Sequence, residues 1–404
     1  MNTEKAVPKL RFSGFTDEWN EVTLNDVATF SKGKGISKND ISNYGIECVR
    51  YGELYTKYNE MIYNIESKTD LDKNELKLSE KNDILIPCSG ETAIDLATAS
   101  CIQKDQVAIG GDITVIKTNQ YAPFITYYLN QKKTEIAKYA QGISIVHLYP
   151  KDFKVMNIRI PSFNEQKKII ALLEEITKKE QLLESKYQQY QEFKKYLMQQ
   201  IFTQKLRFVD FNNSSWKDYK FKDLGTVKSG VGFSNKYQGH LDLDYNFYKV
   251  SDMNLKGNEK VMTRSNNTID DNLLKDIGVK LIENPSIIFA KVGEAIFLNR
   301  KRIAKQPFLI DNNMMAFSPN ENVDLEFMYY LATSINFGKY AQTGALPSYN
   351  ASDIYSIKCK IPPIEEQKRI GKLLSLADNK IDFCSNQLNK TQEFKKGLLQ
   401  QMFV

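Results

Sequence analysis

Lysines beside paired glycines are the first residues in this chain whose types and spacing could do chemistry. Lys32 and Lys34 flank Gly33 in SKGKG, and Lys228 and Ser229 precede Gly230 in KSGVG. Such a turn can bring backbone N–H groups and ammonium groups to a phosphate; the same residues also make an unliganded tight turn. Neither turn has the third glycine of a dinucleotide site. Other polar sets follow along the chain. Arg50-Tyr51 and Lys249 stand at predicted strand ends. Ser89-Gly90-Glu91 in DILIPCSGETAI corresponds to the region of Lys291 and Glu294 in SIIFAKVGEAIF. The loops GISIVHLYPKD (Gly142 to Asp152) and GALPSYNASD (Gly344 to Asp353) carry Ser144, His147, Ser348 and Tyr349. Residues of these types on loops can read base edges and grip phosphates. Each is, alternatively, a solvated surface group.

Catalytic patterns are scarce. With only two histidines, His147 and His240, a His-rich metal site is excluded, and neither HExxH nor GxxxxGK[ST] occurs. Asn284-Pro285-Ser286-Ile287 resembles the NPPY-type motif of amino-methyltransferases but lacks its second proline and aromatic residue. Asp83, Glu91 and Lys104 could form a nuclease centre, yet the set is not repeated in the second half of the chain. Cys88 beside Ser89 reads as a strand-end turn rather than a nucleophile. No metal site is expected.

The bulk properties point to a soluble chain of two or three domains. There are 404 residues, 42% of them hydrophobic and 26% charged. A net charge of +6 suits a polyanionic partner without requiring one. Five scattered cysteines and the lack of a signal-peptide pattern or a long apolar run favour the cytoplasm.

What positions the candidate residues is an internal repeat. EFKKYLMQQIF (Glu192 to Phe202) and EFKKGLLQQMF (Glu393 to Phe403) agree at eight of eleven positions. IPSFNEQKKI (Ile160 to Ile169) and IPPIEEQKRI (Ile361 to Ile370) keep the same offset of 201. PKLRFSGFTDEW near the start matches QKLRFVDFNNSSW from Gln204, which aligns Trp19 with Trp216. Residues 50–80 and 245–280 show little likeness. Each repeat ends in a predicted helix entered after a proline. Glu165 and Gln166 fall in the first turn of helix one, where a carboxylate favours the N-terminus. In helix one, apolar residues recur with a 3.5-residue period at Ile169, Leu173, Ile176, Leu183, Tyr187, Tyr190, Leu197 and Ile201. Ile370, Leu374, Ala377, Ile381, Cys384, Leu388, Leu398 and Met402 do the same in helix two. Glu180, Lys194, Thr391 and Lys395 interrupt the two seams. About 39 residues would span roughly 58 Å, more than a domain diameter of about 35 Å. The helices are therefore expected to pair with each other.

The order of these motifs is similar to that of the DNA-specificity (S) subunit of type I restriction-modification systems, and the resemblance covers essentially the whole chain. It rests on the IPxxxEQxxI openings, the EFKKxLxQQxF helix ends and the KLRF…W starts. It implies an α+β chain of mixed α/β globular units: two duplicated target recognition domains (1–160 and 203–361) separated by two long antiparallel helices (161–202 and 362–404). These helices would form a coiled coil in a pseudo-two-fold cyclic arrangement. Each domain would read one half of an asymmetric, bipartite double-stranded DNA target. The DNA-binding candidates are then Lys32, Lys34, Arg50, Tyr51, Ser89, Glu91, Ser144, His147, Lys228, Ser229, Lys249, Lys291, Ser348 and Tyr349. The helices would dock two modification (methyltransferase) subunits that methylate adenines, with restriction/translocase subunits joining that core. The repeated exposed positions Glu192, Lys195, Gln199, Gln200, Glu393, Lys396, Gln400 and Gln401 are the docking candidates. The chain itself would be non-catalytic and bind no cofactor, with S-adenosylmethionine and ATP/Mg on the partner subunits. The competing readings are an autonomous DNA methyltransferase or nuclease, and a protein-only coiled-coil scaffold.

If the repeats close on each other, the position of the chain ends matters little. A chain circularly permuted near Thr203 is expected to fold and bind DNA as the parent does. An insoluble or inactive permutant counts against the cyclic arrangement.

Overall fold

The computed structural model describes residues 7–142, 146–342 and 346–404. The chain divides into two compact units, Met1–Leu183 with Gln387–Val404, and Glu184–Asn386. The division between these units falls within the long helices, because each helix end is built into a core. Among the described residues no helix is long and apolar enough to cross a membrane.

In the first unit a five-stranded sheet runs in the order Ala28–Lys32, Ile113–Thr118, Ile84–Pro87, Ser100–Ile102, Met61–Ile62. Its strand pairs are antiparallel except the last. The central strands ITVIKT and ILIP are β-branched and mostly buried, as befits strands covered on both faces. A second sheet is ordered Ala108–Ile109, Ile46–Val49, Ser67–Thr69, Ile41–Ser42, with the first pair parallel. Asn20–Thr23 pairs with Asn157–Ile160 and ties the start of the domain to the strand preceding the long helix.

The second unit repeats this plan. Gly225–Ser229, Met314–Pro319, Ser286–Ala290 and Lys301–Ala304 form the larger sheet. Thr268–Ile269, Tyr245–Tyr248 and Phe308–Ile310 form the smaller, again with one parallel pair. Lys217–Lys220 pairs with Lys358–Ile361. The topology continues through the segments that lack sequence likeness. Met61 runs parallel to Cys101 in one unit, and Val261 bridges Ile303 in parallel in the other. The duplication is therefore deeper than the residue matches.

The long helices are Phe163–Phe202 and Ile364–Met402. Their seams are buried at the ends, where Ile169, Leu173, Leu398 and Met402 join the first core and Leu197, Ile201, Ile370 and Leu374 the second. Tyr187 and Tyr190 are only half-buried. In the second unit Lys380 lies over the Tyr190 ring and Lys194 pairs with Asp378, so the two helices run antiparallel there. In the first unit Lys395 Nζ reaches Glu180 Oε2 at 3.2 Å. The interrupting lysines thus stay at the seam, each neutralised by a carboxylate of the other helix.

Glu165 and Glu366 do more than favour a helix dipole. Both are buried, and each holds an arginine of the KLRF segment in a two-pronged ion pair. Arg11 Nε and Nη2 lie 2.7 and 2.8 Å from Glu165, and Arg207 Nε and Nη2 lie 3.1 and 2.6 Å from Glu366. The next residue is also an anchor. Gln166 Oε1 accepts Tyr121 N–H at 3.0 Å and its Nε2 donates to Pro161 O at 2.9 Å. Gln367 makes the matching bonds with Asp324 N and Pro362 O, both at 2.9 Å. Removing one partner of a buried ion pair strands the other charge, at a cost of roughly 3–5 kcal/mol. Arg207→Met is expected to destabilise the second unit by that order in urea unfolding, and Arg207→Met/Glu366→Leu to recover a large part of the loss.

Candidate functional site

In each unit the glycine turn follows the first strand of the larger sheet. A Cβ on Gly33 would sit 1.9 Å from Gly110 O, and one on Gly230 would sit 1.7 Å from Asp311 O. The first glycine of each turn is therefore required by a backbone crossing. The second, Gly35 or Gly232, has nothing within 4 Å of that position and remains open to an approaching group.

Several candidates from distant parts of the sequence meet in the first unit. Lys32 Nζ lies 5.3 Å from the Tyr149 ring centroid, Lys151 Nζ lies 5.9 Å from it, and the ring stacks on His147. Val146–His147 pairs with Ser89–Gly90, which brings Ser89 Oγ to 3.1 Å from His147 Nδ1. Glu91 then lines a cleft of about 450 Å³ together with Arg50, Tyr51, Ser37, Lys38 and Lys57. The Ser89-Gly90-Glu91 segment thus connects a lysine–aromatic patch to a basic cleft. Tyr149, Lys151, Lys38 and Lys57 were not singled out from the sequence. Lys38 was detectable, since it follows the repeated Ser37.

Arg50 is placed by the residue three positions on. It precedes the helix Tyr51–Thr56, and its N–H donates to Glu53 Oε2 at 3.0 Å. Burial acts to raise the Glu53 carboxyl. Hydrogen bonds from Ser67, the Arg50 N–H and Lys57, with the charge of Arg50, outweigh it and hold the group below the usual range.

The second unit offers different chemistry on the same frame. Lys228 and Ser229 are exposed on Gly225–Ser229. Lys249 Nζ donates to Gln238 Oε1 at 2.5 Å and lies 5.9 Å from the Phe233 ring, which stacks on Phe247 at 3.8 Å. Asp311 is nearby, and burial raises its carboxyl while bonds from Asn313 and the Lys249 charge oppose the rise. Lys291 N donates to Asn313 O, and Lys291 O accepts Tyr349 N–H at 3.1 Å, which docks the Ser348 loop beside Lys291.

Two candidates need correction. Tyr349 is 1% exposed and Ser89 is 9% exposed, so neither side chain offers a free surface. Tyr349 turns into the second core, and the Ser89 hydroxyl is taken by His147. Ser144 lies outside the described residues. Lys32, Lys34, Tyr51, Glu91, Lys228 and Ser229 are exposed; Arg50, His147, Lys249, Lys291 and Ser348 are half-buried. Among the described residues no group of three or more His, Cys, Asp or Glu side chains could hold a metal ion.

The model of the type I restriction modification DNA specificity domain family matches residues 16–191 and again residues 213–393. The chain belongs to this family. Its similarity to the type I restriction enzyme MjaVIII specificity subunit of Methanocaldococcus jannaschii is 21% identity over 405 residues, covering 95% of this chain and 91% of that protein. The putative MjaX specificity subunit of the same organism is 26% identical over 199 residues, covering 47% of this chain and 45% of that protein. In fold, the chain is similar to the S subunit of a type I restriction-modification system from M. genitalium (TM-score 0.65, 18% identity, 98% and 99% of the two chains). A chain from a structural study of complex assembly and conformational transition in the type I R-M system also matches (TM-score 0.55, 13% identity, 96% and 98% of the two chains). The two units described above thus carry the two specificity domains of a specificity subunit, and DNA sequence recognition is its function.

Each phosphate-neutralising cation contributes about 0.9 to the slope of log K against log salt for duplex DNA. Lys32→Ala is therefore expected to weaken binding to a random-sequence duplex and to flatten that slope by about one. An unchanged slope in a salt titration removes Lys32 from the DNA contacts.

Proposed function

We propose that each unit reads one half of an asymmetric, bipartite DNA target, and that the joining helices set the gap and dock two methyltransferase subunits that methylate adenines. The observation that carries the reading is one topology presented twice with different loop chemistry. Arg50, Tyr51 and Lys38 line the cleft in the first unit. Lys249 lies against Gln238 and Phe233 in the second. Identical readers would suit a palindrome, whereas different readers suit two unlike half-sites. Lys32, Lys34, Lys228 and Lys291 supply charge for phosphates, and Arg50, Glu91, His147, Lys249 and Ser348 supply groups for base edges.

On the helices, Glu192, Lys195, Gln199, Glu393, Lys396, Gln400 and Gln401 are exposed and Gln200 is half-buried. Phe193 and Phe394, the aromatic residues of the two EFKK motifs, are 53% and 59% exposed. An exposed aromatic ringed by charge suits a protein interface. Two matching patches suit two copies of one partner. S-adenosylmethionine would reside on the methyltransferase subunits, and ATP/Mg on restriction/translocase subunits, in the cytoplasm. The chain positions these partners on DNA and supplies no reacting group.

The test is to map methylated adenines in DNA from cells carrying this chain and its methyltransferase. A two-part motif with a fixed gap is expected, and exchanging residues 203–360 for those of another family member should change one half only. A continuous motif, or a change in both halves, counts against the reading.

A further inference from the structure

Short helices in this chain often begin with a carboxylate at the third position reaching back to the N–H that precedes the helix. Asp26 does so to Thr23 N at 2.8 Å, and Asp223 to Lys220 N at 3.0 Å. Those carboxylates are exposed and do nothing more than cap. Two others differ. Glu53 is 3% exposed and Asp252 is 0% exposed, although a buried carboxylate is costly unless it is fully bonded.

Each of the two takes extra donors from the neighbouring strand region. Ser67 Oγ donates to Glu53 Oε1 at 2.5 Å, and Lys57 Nζ lies 3.3 Å from the same oxygen. Asn266 Nδ2 donates to Asp252 Oδ1 at 2.7 Å, with Asn266 N at 3.3 Å. Each carboxylate also binds the N–H of a basic residue three positions earlier, Arg50 at 3.0 Å and Lys249 at 2.8 Å. These pairs fall where the two copies otherwise diverge: VRYGE against YKVSD shares only a basic residue and an acid three on. Arg and Lys are not the residues that favour a helix N-cap, where Ser, Thr, Asp and Asn lead. Lys220 shows that a basic residue can precede a plain cap; what sets Arg50 and Lys249 apart is the burial of their carboxylates. The side chains retain donors to spend. The half-buried Arg50 guanidinium approaches Glu53 through Nη2 alone, at 3.4 Å, while its Nε is buried and does not face a ligand.

We infer that Glu53 and Asp252 are positioning residues, one in each recognition unit, which hold Arg50 and Lys249 in the geometry that reads DNA. The buried carboxylate ties the backbone of the basic residue to Ser67 or to Asn266, and the accessible side-chain N–H groups are left for the ligand. The inference rests on the reading of Arg50 and Lys249 as DNA-contacting groups.

The test uses the complex with its methyltransferase. Methylation rates are measured on duplexes carrying the mapped motif and on duplexes with single base substitutions in either half. Arg50→Ala is expected to lower discrimination about tenfold at one or more positions in one half only. Glu53→Gln should lower it at the same positions, and Arg50→Ala/Glu53→Gln should lose no more than Arg50→Ala alone. Ser67→Ala, which removes one donor and keeps the charge, should give a weaker form of the same change. Lys249→Ala and Asp252→Asn should repeat the pattern in the opposite half. The unaltered half reports in every case that the complex is folded. A merely structural carboxylate would lower thermal stability or overall rate and leave base discrimination intact, and that result would overturn the inference. Losses that add in the double variant also overturn it. If Arg50→Ala and Lys249→Ala change neither half, the inference falls. The broader reading of the two units falls only if the exchange of residues 203–360 also leaves the motif unchanged.

Discussion

Both units depend on a buried carboxylate whose charge is balanced by a distant arginine. Glu165 sits in the first turn of the long helix and is 1% exposed, so without Arg11 it would be an uncompensated charge in the domain interior. The guanidinium comes from the segment that precedes the domain. Gln166, next in sequence, ties the same helix turn to the loop before the helix Ala122–Gln131. One turn of helix thus fixes the domain's leading segment, its α-helical layer and the departure of the long helix. The end of the second long helix joins this point, with Leu10 N donating to Gln401 O at 2.9 Å and Phe403 packing on Trp19 and Phe124. In the second unit Leu206 N and Gln200 O, with Phe202 on Phe327, make the corresponding contacts inside the chain. A junction between the two chain ends and a junction within the chain are therefore built from the same parts.

Such a frame leaves the candidate loops free to change. The crossing at Gly33 or Gly230 is a backbone contact, and the strand order of both sheets is kept by main-chain pairing. Neither constrains which side chains project from residues 36–57 or 233–252. Lys38, Arg50 and Tyr51 can occupy one unit while Phe233, Gln238 and Lys249 occupy the other, on a shared central strand order.

How much of this was legible in the sequence follows from the kind of contact involved. The helices, the duplication, and the KLRF and EQ motifs each repeat as residue identities, so they stand out on inspection. The partners of the EQ motif do not, because Arg11 and Glu165 are separated by 154 residues and no local pattern joins them. The equivalence of residues 50–80 and 245–280 was hidden for a different reason. Strand pairing there needs only suitable backbone and alternating apolar residues, which many sequences supply. The candidate site was legible in part. Exposed lysines at glycine turns follow from local sequence. The burial of Ser89 and Tyr349 depends on which strand or core covers them, and the Lys32–Tyr149–His147 patch depends on a crossing between the first strand and the loop before the long helix.

The repeated helix end can now be divided by what the chain itself uses. Leu197 and Leu398 enter the two cores, and Phe202 and Phe403 pack beside Trp216 and Trp19 or their neighbouring rings. Gln200 and Gln401 give their carbonyl oxygens to the following or leading KLRF segment. Lys194 and Lys395 neutralise Asp378 and Glu180. Internal folding thereby accounts for the leucine, the last phenylalanine, the second glutamine and one lysine of EFKKxLxQQxF. It does not account for the glutamate, the first phenylalanine, the second lysine or the first glutamine, all of which are exposed in both copies. An exposed phenylalanine on a helix gains nothing from water, and a polar residue there would serve folding as well. Its presence beside exposed Glu, Lys and Gln at both helix ends supports the proposal that this surface meets a partner.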